Sequence, residues 1–166
     1  MPQLPVVVKP RFGSWGTDVF RCDSPSEYDE TLAEIAGRQW FRRQGAFVQQ
    51  LVPPRGYDLR VLVARGRVIG AASRLPQPDE WRTNRALGAR VVPAIPTPAA
   101  RSLALAAVAA LGLDFAGVDL LPVVDAVGWT VLEVNGAVEF DSIYSQPGRD
   151  VYRDLAVALG VASVNQ

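Results

Sequence analysis

Strand-like segments that occur in pairs around short turns constrain the fold of this chain more than any other feature of its sequence. Residues 57–74, "YDLRVLVARGRVIGAASR", alternate in polarity on both sides of a tight turn at Arg65-Gly66, which predicts a β-hairpin. The segments "FAGVDLLPVV" (115–124) and "WTVLEVN" (129–135) predict a second hairpin. Because the strands of a hairpin run antiparallel, we expect a mostly antiparallel sheet.

The remaining segments predict further strands separated by helices. We expect strands at 4–10, 17–22 and 46–52. Residues 24–45 open with Ser24, Pro25 and Glu27, a capping box with proline at the first helical position, and then show helical spacing of apolar residues. Strands outnumber helices in a mixed order, which favours an α+β fold.

Two more helices are predicted in the second half of the chain. Thr97-Pro98 begins one that ends near Gly112, and its composition is apolar nearly all round, so we expect it to be well buried. Another begins near Gly148 and ends at about Leu159. Residues 75–96 lack periodicity and predict a functional loop.

Composition excludes several classes of function. The chain has 166 residues, a formal net charge of zero and no histidine. The balanced charge gives no support for nucleic acid or an anionic membrane as partner, and the absence of histidine excludes a Ser-His-Asp triad. The chain has a single cysteine, Cys22, and shows neither a signal-peptide pattern nor an apolar run long enough to cross a bilayer. These features favour a cytoplasmic protein. Any chemistry must come from carboxylates, Lys9, arginines, amides or a bound metal.

Lys9 is the only lysine in the chain, against sixteen arginines. It ends a strand pattern and precedes the loop "FGSWG", in which Gly13 and Gly16 let backbone N–H groups approach an anion closely. A compact ammonium next to such a loop favours a nucleotide phosphate. The alternatives are a chance surface lysine and a plain hairpin turn.

The second predicted hairpin carries three oxygen-bearing side chains within strands otherwise built for burial. Glu133 and Asn135 are two apart and therefore face the same way, and Asp119 lies in the neighbouring strand. Such oxygens suit Mg²⁺ or Mn²⁺. The alternative is a solvated sheet face that binds nothing.

Charged residues also cluster in and after the first hairpin. Asp58 and Arg60 share one strand face, Arg74 ends the next strand, and Arg82 and Asn84 follow in "EWRTN". These arginines can neutralise a triphosphate or an acyl phosphate. The alternatives are an ordinary surface ion pair for Asp58 and Arg60 and a solvated loop for "EWRTN".

These motifs occur in one order along nearly the whole chain, and together they resemble the ATP-grasp ligases of the branch that contains RimK and LysX. The resemblance implies an ATP-grasp core of two lobes, at about 1–50 and 51–166, without the N-terminal domain that usually precedes it. It also implies the roles of individual residues. Phosphate contact is expected from Lys9, a nucleotide flap from Gly13, Ser14, Trp15 and Gly16, adenine contact from Gln49, Gln50, Leu51 and Val52, nucleotide and phosphate contact from Asp58 and Arg60, catalysis from Arg82 and Asn84, and metal binding from Asp119, Glu133 and Asn135. Arg74 is also expected to be catalytic, because it ends the strand that leads into the loop with Arg82 and Asn84.

In this family ATP phosphorylates a carboxylate, and an amine then attacks the acyl phosphate to give an amide, ADP and phosphate. The resemblance therefore implies ATP and Mg²⁺ (or Mn²⁺) as cofactors and a small carboxylate and amine, such as an amino acid or a carrier-protein tail, as substrates. We expect a homo-oligomer or a separate subunit to supply the missing domain. Two alternatives are a non-catalytic nucleotide-binding or assembly subunit of a ligase and an unrelated α+β interaction domain.

Overall fold

The computed structural model describes residues 2–123 and 128–162, which form two compact units, 1–53 and 54–166. Val124, the last residue of one predicted strand, lies outside the described residues. Both units contain antiparallel sheet and packed helices, which confirms the predicted α+β class. No helix among the described residues has the length and apolar character needed to cross a membrane.

The first unit is a three-stranded antiparallel sheet with two helices. Its strands are β1 (Val6–Pro10), β2 (Phe20–Cys22) and β3 (Ala46–Gln50), in the order β2-β1-β3. The helices are α1 (Pro25–Ile35) and α2 (Gln39–Gln44). The capping box between Ser24 and Glu27 is present at the start of α1, as predicted.

Two predictions for this unit were wrong. The single helix expected over 24–45 is divided, because Arg38 has an extended backbone and begins α2 after the break that contains Gly37. The strand expected over 17–22 is shorter, because Asp18 adopts a left-handed conformation (φ 57°) that belongs to a turn. The core comprises the buried residues Val6, Val8, Cys22 and Ile35.

The second unit is a five-stranded antiparallel sheet in the order β6-β5-β4-β7-β8. Its strands are β4 (Asp58–Ala64), β5 (Arg67–Leu75), β6 (Arg90–Pro93), β7 (Phe115–Pro122) and β8 (Trp129–Asn135). The helices are α3 (Pro98–Ala110) and α4 (Val151–Ala158). The strand pairs β4–β5 and β7–β8 confirm the two predicted hairpins. The prediction of a loop throughout 75–96 was wrong, since β6 and a short 3-10 turn at Arg85–Leu87 lie within it.

The two faces of this sheet have separate apolar cores. One face packs against α3 through Val61, Val63, Val118 and Leu120 and is here called the α3 face. The prediction that α3 is well buried was wrong, because the helix packs on one side only. Its buried residues are Ala100, Ala104 and Val108, at the four-residue spacing of a single stripe.

The opposite face is covered in part by α4, through Val151, and by a 3-10 turn at Ser142–Tyr144, which pack against Leu62 and Ala72. Gly70 permits this close packing. A Cβ atom at Gly70 would lie 2.5 Å from the carbonyl oxygen of Tyr144, which leaves no room for a side chain. The remaining part of this face carries polar side chains.

Candidate functional site

The polar side chains of the five-stranded sheet gather on the face opposite α3, here called the polar face. Strand register explains the gathering, because Asp58 lies opposite Arg74, and Asp119 lies opposite both Arg60 and Glu133 on its two neighbouring strands. Directly opposed residues in antiparallel strands point to the same side of the sheet. The polar face therefore brings together six residues named from the sequence: Asp58, Arg60, Arg74, Asp119, Glu133 and Asn135.

Asp119 lies at the centre of this group. Arg60 donates to both of its carboxylate oxygens, from Nε to Oδ1 at 2.6 Å and from Nη2 to Oδ2 at 2.7 Å. Arg74 Nη2 donates to Oδ2 as well, at 2.7 Å. Since Asp119 is 1 % exposed, it is not part of a solvated sheet face. Three charge-assisted hydrogen bonds compensate the burial of its charge.

Asp58 is fully buried and bonds to the same Arg74. Arg74 Nε donates to Oδ1 of Asp58 at 2.8 Å, and Arg74 Nη2 also donates to Oδ2. Thr83 Oγ1 donates to Oδ2 at 2.6 Å. Asp58 and Arg60 are therefore not an ordinary surface ion pair, because each bonds across the sheet to a different partner.

The two carboxylates differ in how well their charge is compensated. Burial acts to raise the pKa of Asp119, but the hydrogen bonds and charges of Arg60 and Arg74 outweigh it and hold that pKa below its ordinary value. Burial raises the pKa of Asp58, because a single shared guanidinium and one hydroxyl offset it only in part. Two carboxylates and two guanidinium groups make the cluster neutral overall.

Glu133 and Asn135 lie beside this cluster on β8. Asn135 Nδ2 donates to Oε1 of Glu133 at 3.1 Å, which confirms that the two side chains share a face. A β-bulge precedes Glu133 in β8. Asp119 pairs with Glu133 and Leu120 pairs with Val131, so Leu132 is the extra residue. Within 2–123 and 128–162, no group of three or more Asp, Glu, His or Cys side chains is arranged to hold a metal.

Oxygen donors that suit a hard divalent ion are nevertheless present at this position. The carboxylate of Glu133, which is exposed, and the amide oxygen of Asn135 are donors of the type that Mg²⁺ prefers. Asp119 accepts three hydrogen bonds, and a carboxylate has about four lone-pair sites, so Oδ1 retains one. The residues present fit a magnesium ion.

The segment 76–89, here called the RTN loop, connects β5 to β6. Arg82 donates to Glu80 from Nε at 3.0 Å and from Nη2 at 2.8 Å. These hydrogen bonds lower the pKa of Glu80 to about 2. Gln77 donates to the carbonyl of Gly88 and closes the loop. Asn84 begins the 3-10 turn without capping it through its side chain. The loop is therefore internally bonded, which opposes the alternative of a merely solvated segment.

Lys9 lies on the face of the three-stranded sheet away from Val6 and Val8, which belong to the core. It pairs in register with Phe47, and its Nζ lies 5.6 Å from the centre of the Phe47 ring. Gln49 pairs with Val7 and points to the same side. Leu51 follows β3, and its N–H donates to the carbonyl of Pro5 at 3.0 Å.

The glycine loop after β1 exposes two aromatic side chains. Phe12 and Trp15 are 71 % and 64 % exposed. Trp15 and Gly16 both have positive φ values, 63° and 74°, which is unusual for a tryptophan and ordinary for a glycine. Arg38 forms an ion pair with Asp18 and so holds the end of the loop.

Two residues of this arrangement were missed in the sequence. Thr83 and Glu80 lie within "DEWRTN" and bond to residues that were named, but a lone hydroxyl and a loop glutamate carry no pattern. The available signal was its position, since Thr83 lies between two candidate site residues in the chain.

One of the alternatives is excluded by the family to which the chain is similar. The model of the RimK-like ATP-grasp domain matches residues 1–159. The chain belongs to the RimK-like ATP-grasp family. This membership confirms the resemblance found in the sequence and excludes an unrelated interaction domain.

Curated relatives of this ATP-grasp chain carry ligase names. A probable alpha-L-glutamate ligase of Aeromonas salmonicida (strain A449) is 32 % identical over 148 residues, which cover 89 % of this chain and 48 % of the relative. One of Thioalkalivibrio sulfidiphilus (strain HL-EbGR7) is also 32 % identical, over 89 % of this chain and 47 % of the relative. The chain thus spans about half the length of the curated relatives it matches.

Solved structures show the same fold. The D-cycloserine synthetase DcsG is 24 % identical, with a TM-score of 0.67 over 95 % of this chain and 56 % of that protein. The ATP-grasp ligase PsnB, complexed with a minimal precursor, is 18 % identical, with a TM-score of 0.65 over 95 % of this chain and 47 % of PsnB. Both likenesses support the ATP-grasp fold.

Proposed function

We propose that the chain is the ATP-grasp part of an ATP- and Mg²⁺-dependent carboxylate–amine ligase. The observation that carries the proposal is the polar face. Two buried carboxylates hold Arg60 and Arg74 in fixed positions beside the oxygens of Glu133 and Asn135, in a chain of the RimK-like family. Burying such charges costs several kcal/mol per ion unless each is compensated, and a buried cluster of this kind is a candidate functional site.

The proposed reaction has two steps. A carboxylate oxygen of the acid substrate attacks the γ-phosphorus of ATP, the bond to the β,γ-bridging oxygen breaks, and ADP leaves. The amine nitrogen then attacks the acyl carbon, phosphate leaves with the bonding electrons, and the nitrogen loses a proton to give the amide. Both steps depend on holding reactants in place and neutralising charge, which needs no histidine.

We assign the metal-binding role to Asp119, Glu133 and Asn135. When bound, a magnesium ion would supply positive charge that neutralises the transferring phosphoryl group. Asn135 donates a hydrogen bond to Glu133, and Arg60 and Arg74 donate hydrogen bonds to Asp119. This second layer of hydrogen bonds orients the carboxylate without any further rearrangement.

The remaining roles follow the resemblance. Lys9 and the loop at Gly13, Ser14, Trp15 and Gly16 contact phosphate in this proposal, Gln49, Gln50, Leu51 and Val52 contact adenine, and Asp58 and Arg60 support the phosphate site. Arg82 and Asn84 act on the transferring phosphate. Arg74 was predicted to be catalytic. At 6 % exposed and bonded to both buried carboxylates, it is better suited to positioning Asp119 than to touching a substrate.

The relatives' names suggest which substrates to try first. Because the matched relatives are called probable alpha-L-glutamate ligases, we propose a small carboxylate and an amino-acid amine, with glutamate as the first candidate. The relatives are about twice as long, so we expect further protein, in the same polypeptide, a second copy or a separate subunit, to complete the acceptor site. A nucleotide-binding subunit without turnover remains the alternative.

The proposal is tested by measuring phosphate release. The purified protein is incubated with ATP, Mg²⁺, glutamate and pooled amino acids, with and without proteins encoded by neighbouring genes. We expect ADP and phosphate in equal amounts, dependent on both an amine and a carboxylate. No phosphate release under any combination, despite binding of ATP, would favour the non-catalytic alternative.

A further inference from the structure

Thr83 stands between the two residues of the RTN loop to which catalysis was assigned, Arg82 and Asn84. Its hydroxyl donates to Oδ2 of Asp58 at 2.6 Å. Asp58 is fully buried at the start of β4, so this hydrogen bond ends inside the unit rather than at its surface. A short hydrogen bond to a buried carboxylate is of the strong, charge-assisted kind.

The partners of Asp58 explain why the hydroxyl matters. Asp119 accepts hydrogen bonds from both Nε and Nη2 of Arg60 and a third from Nη2 of Arg74. The guanidinium that bonds to Asp58 is that of Arg74, which Asp58 shares with Asp119. The hydroxyl of Thr83 adds a donor to the less compensated of two buried carboxylates. Removing a donor from such a group leaves part of its desolvation uncompensated, and this costs more than an exposed hydrogen bond does.

Three further contacts of the RTN loop do not involve the buried carboxylates. The hydrogen bonds from Gln77 to Gly88 and from Arg82 to Glu80 lie within the loop. The ion pair of Arg85 with Asp141 reaches outside it, but these side chains are 64 % and 38 % exposed. Exposed pairs of this kind contribute little.

We propose that Thr83 is a positioning residue, which through its hydrogen bond to Asp58 fixes the RTN loop on the polar face and thereby sets where Arg82 and Asn84 lie. The inference rests on the proposed function for the roles of those two neighbours. Asp58 is bonded to Arg74, and Arg74 to Asp119, so one chain of contacts runs from the loop to β7, which carries Asp119. The RTN loop and β7 are therefore joined through the buried side chains of Asp58, Arg74 and Asp119.

The test compares three variants in the full chain. Thr83→Val keeps the shape of the side chain and removes the donor, whereas Thr83→Ser keeps the donor. Thr97→Val is the matched control, because Thr97 accepts from the N–H of Ala100 at the start of α3 and from Nε1 of Trp129, and lies away from the polar face. The same substitution therefore removes a hydrogen-bonded threonine hydroxyl at each site.

Loop order is measured by amide hydrogen exchange of residues 80–86 and by the rate of tryptic cleavage after Arg82 and Arg85. We expect Thr83→Val to speed both roughly tenfold or more, because a hydrogen bond to a charged group is lost. Thr83→Ser is expected to stay within about threefold of the wild type, and Thr97→Val to leave the loop unchanged. Equal protection in Thr83→Val and wild type would overturn the proposal whatever the activity.

Turnover supplies the second readout. Misplacing catalytic groups by about 1 Å can cost on the order of 100-fold in rate, so we expect Thr83→Val to lower kcat about 10- to 100-fold while the KM for ATP changes little, and Thr83→Ser to restore kcat. Unchanged kcat in a variant whose loop has lost protection would overturn the positioning role. If the wild type shows no turnover, the proposed function fails, and the loop measurement still decides whether Thr83 holds the loop.

Discussion

Arg74→Met is expected to lower the free energy of unfolding by about 3–5 kcal/mol, the usual result of breaking a buried ion pair by removing one partner. Arg74 is 6 % exposed and bonds to Asp58 and Asp119, which are 0 % and 1 % exposed. Its loss leaves two buried carboxylates and one guanidinium, that of Arg60, which bonds to Asp119. Methionine restores the volume of the side chain but none of its charge. Urea unfolding at neutral pH, followed by circular dichroism, measures the difference.

Two further variants make this measurement specific to the buried cluster. Arg65→Met removes an arginine whose ion pair with Asp114 is 54 % and 74 % exposed, and we expect a change below about 1 kcal/mol. Adding Asp58→Asn to Arg74→Met removes the unpaired charge and should recover part of the lost stability, as expected for coupled neighbours. A loss below about 1 kcal/mol in Arg74→Met would show that the cluster does not stabilise the fold in this way.

Glu133→Gln is expected to lower ATP turnover by about 100-fold or more, the scale on which a single electrostatic contact to a transferring group acts. The substitution keeps the shape of the side chain and its neighbour Asn135 in place, but it removes the negative charge proposed to hold Mg²⁺. Because Glu133 is exposed, the free energy of unfolding should change little. Phosphate release as a function of Mg²⁺ concentration measures the effect.

The control for this variant is Glu30→Gln, which removes one exposed carboxylate from α1 in the other unit. We expect it to keep wild-type turnover and an unchanged Mg²⁺ requirement. Glu133→Gln should in addition need a higher Mg²⁺ concentration for half-maximal rate. Equal turnover and equal Mg²⁺ dependence in the two variants would remove Glu133 from the proposed site.

The polar face shows what could be read from the sequence. The two-residue period of a strand correctly placed Glu133 and Asn135 on one side, and the turn at Arg65-Gly66 correctly paired Asp58 with the strand that carries Arg74. Local patterns are sufficient here because each face of a strand is fixed by its own residues. Membership in a known family then supplied roles that no local pattern contains.

The errors arose where structure depends on contacts that are distant in sequence. Hydropathy alone predicted that α3 is well buried, because it cannot reveal that the sheet lies on one side of the helix. Strand β6 has four residues, and its pairing with β5 rather than its own composition makes it a strand. Thr83 was missed for the same reason, since its importance comes from a carboxylate 25 residues away.

The most direct test of whether this chain binds a magnesium–nucleotide complex is calorimetric titration of ATP into the protein at millimolar Mg²⁺. The titration is repeated with EDTA and with Glu133→Gln. The account predicts saturable binding of one ATP per chain that weakens at least about tenfold, or about 1.4 kcal/mol, when Mg²⁺ is removed or when Glu133 is replaced. No binding of ATP at millimolar Mg²⁺, or binding of equal strength in all three titrations, would contradict it.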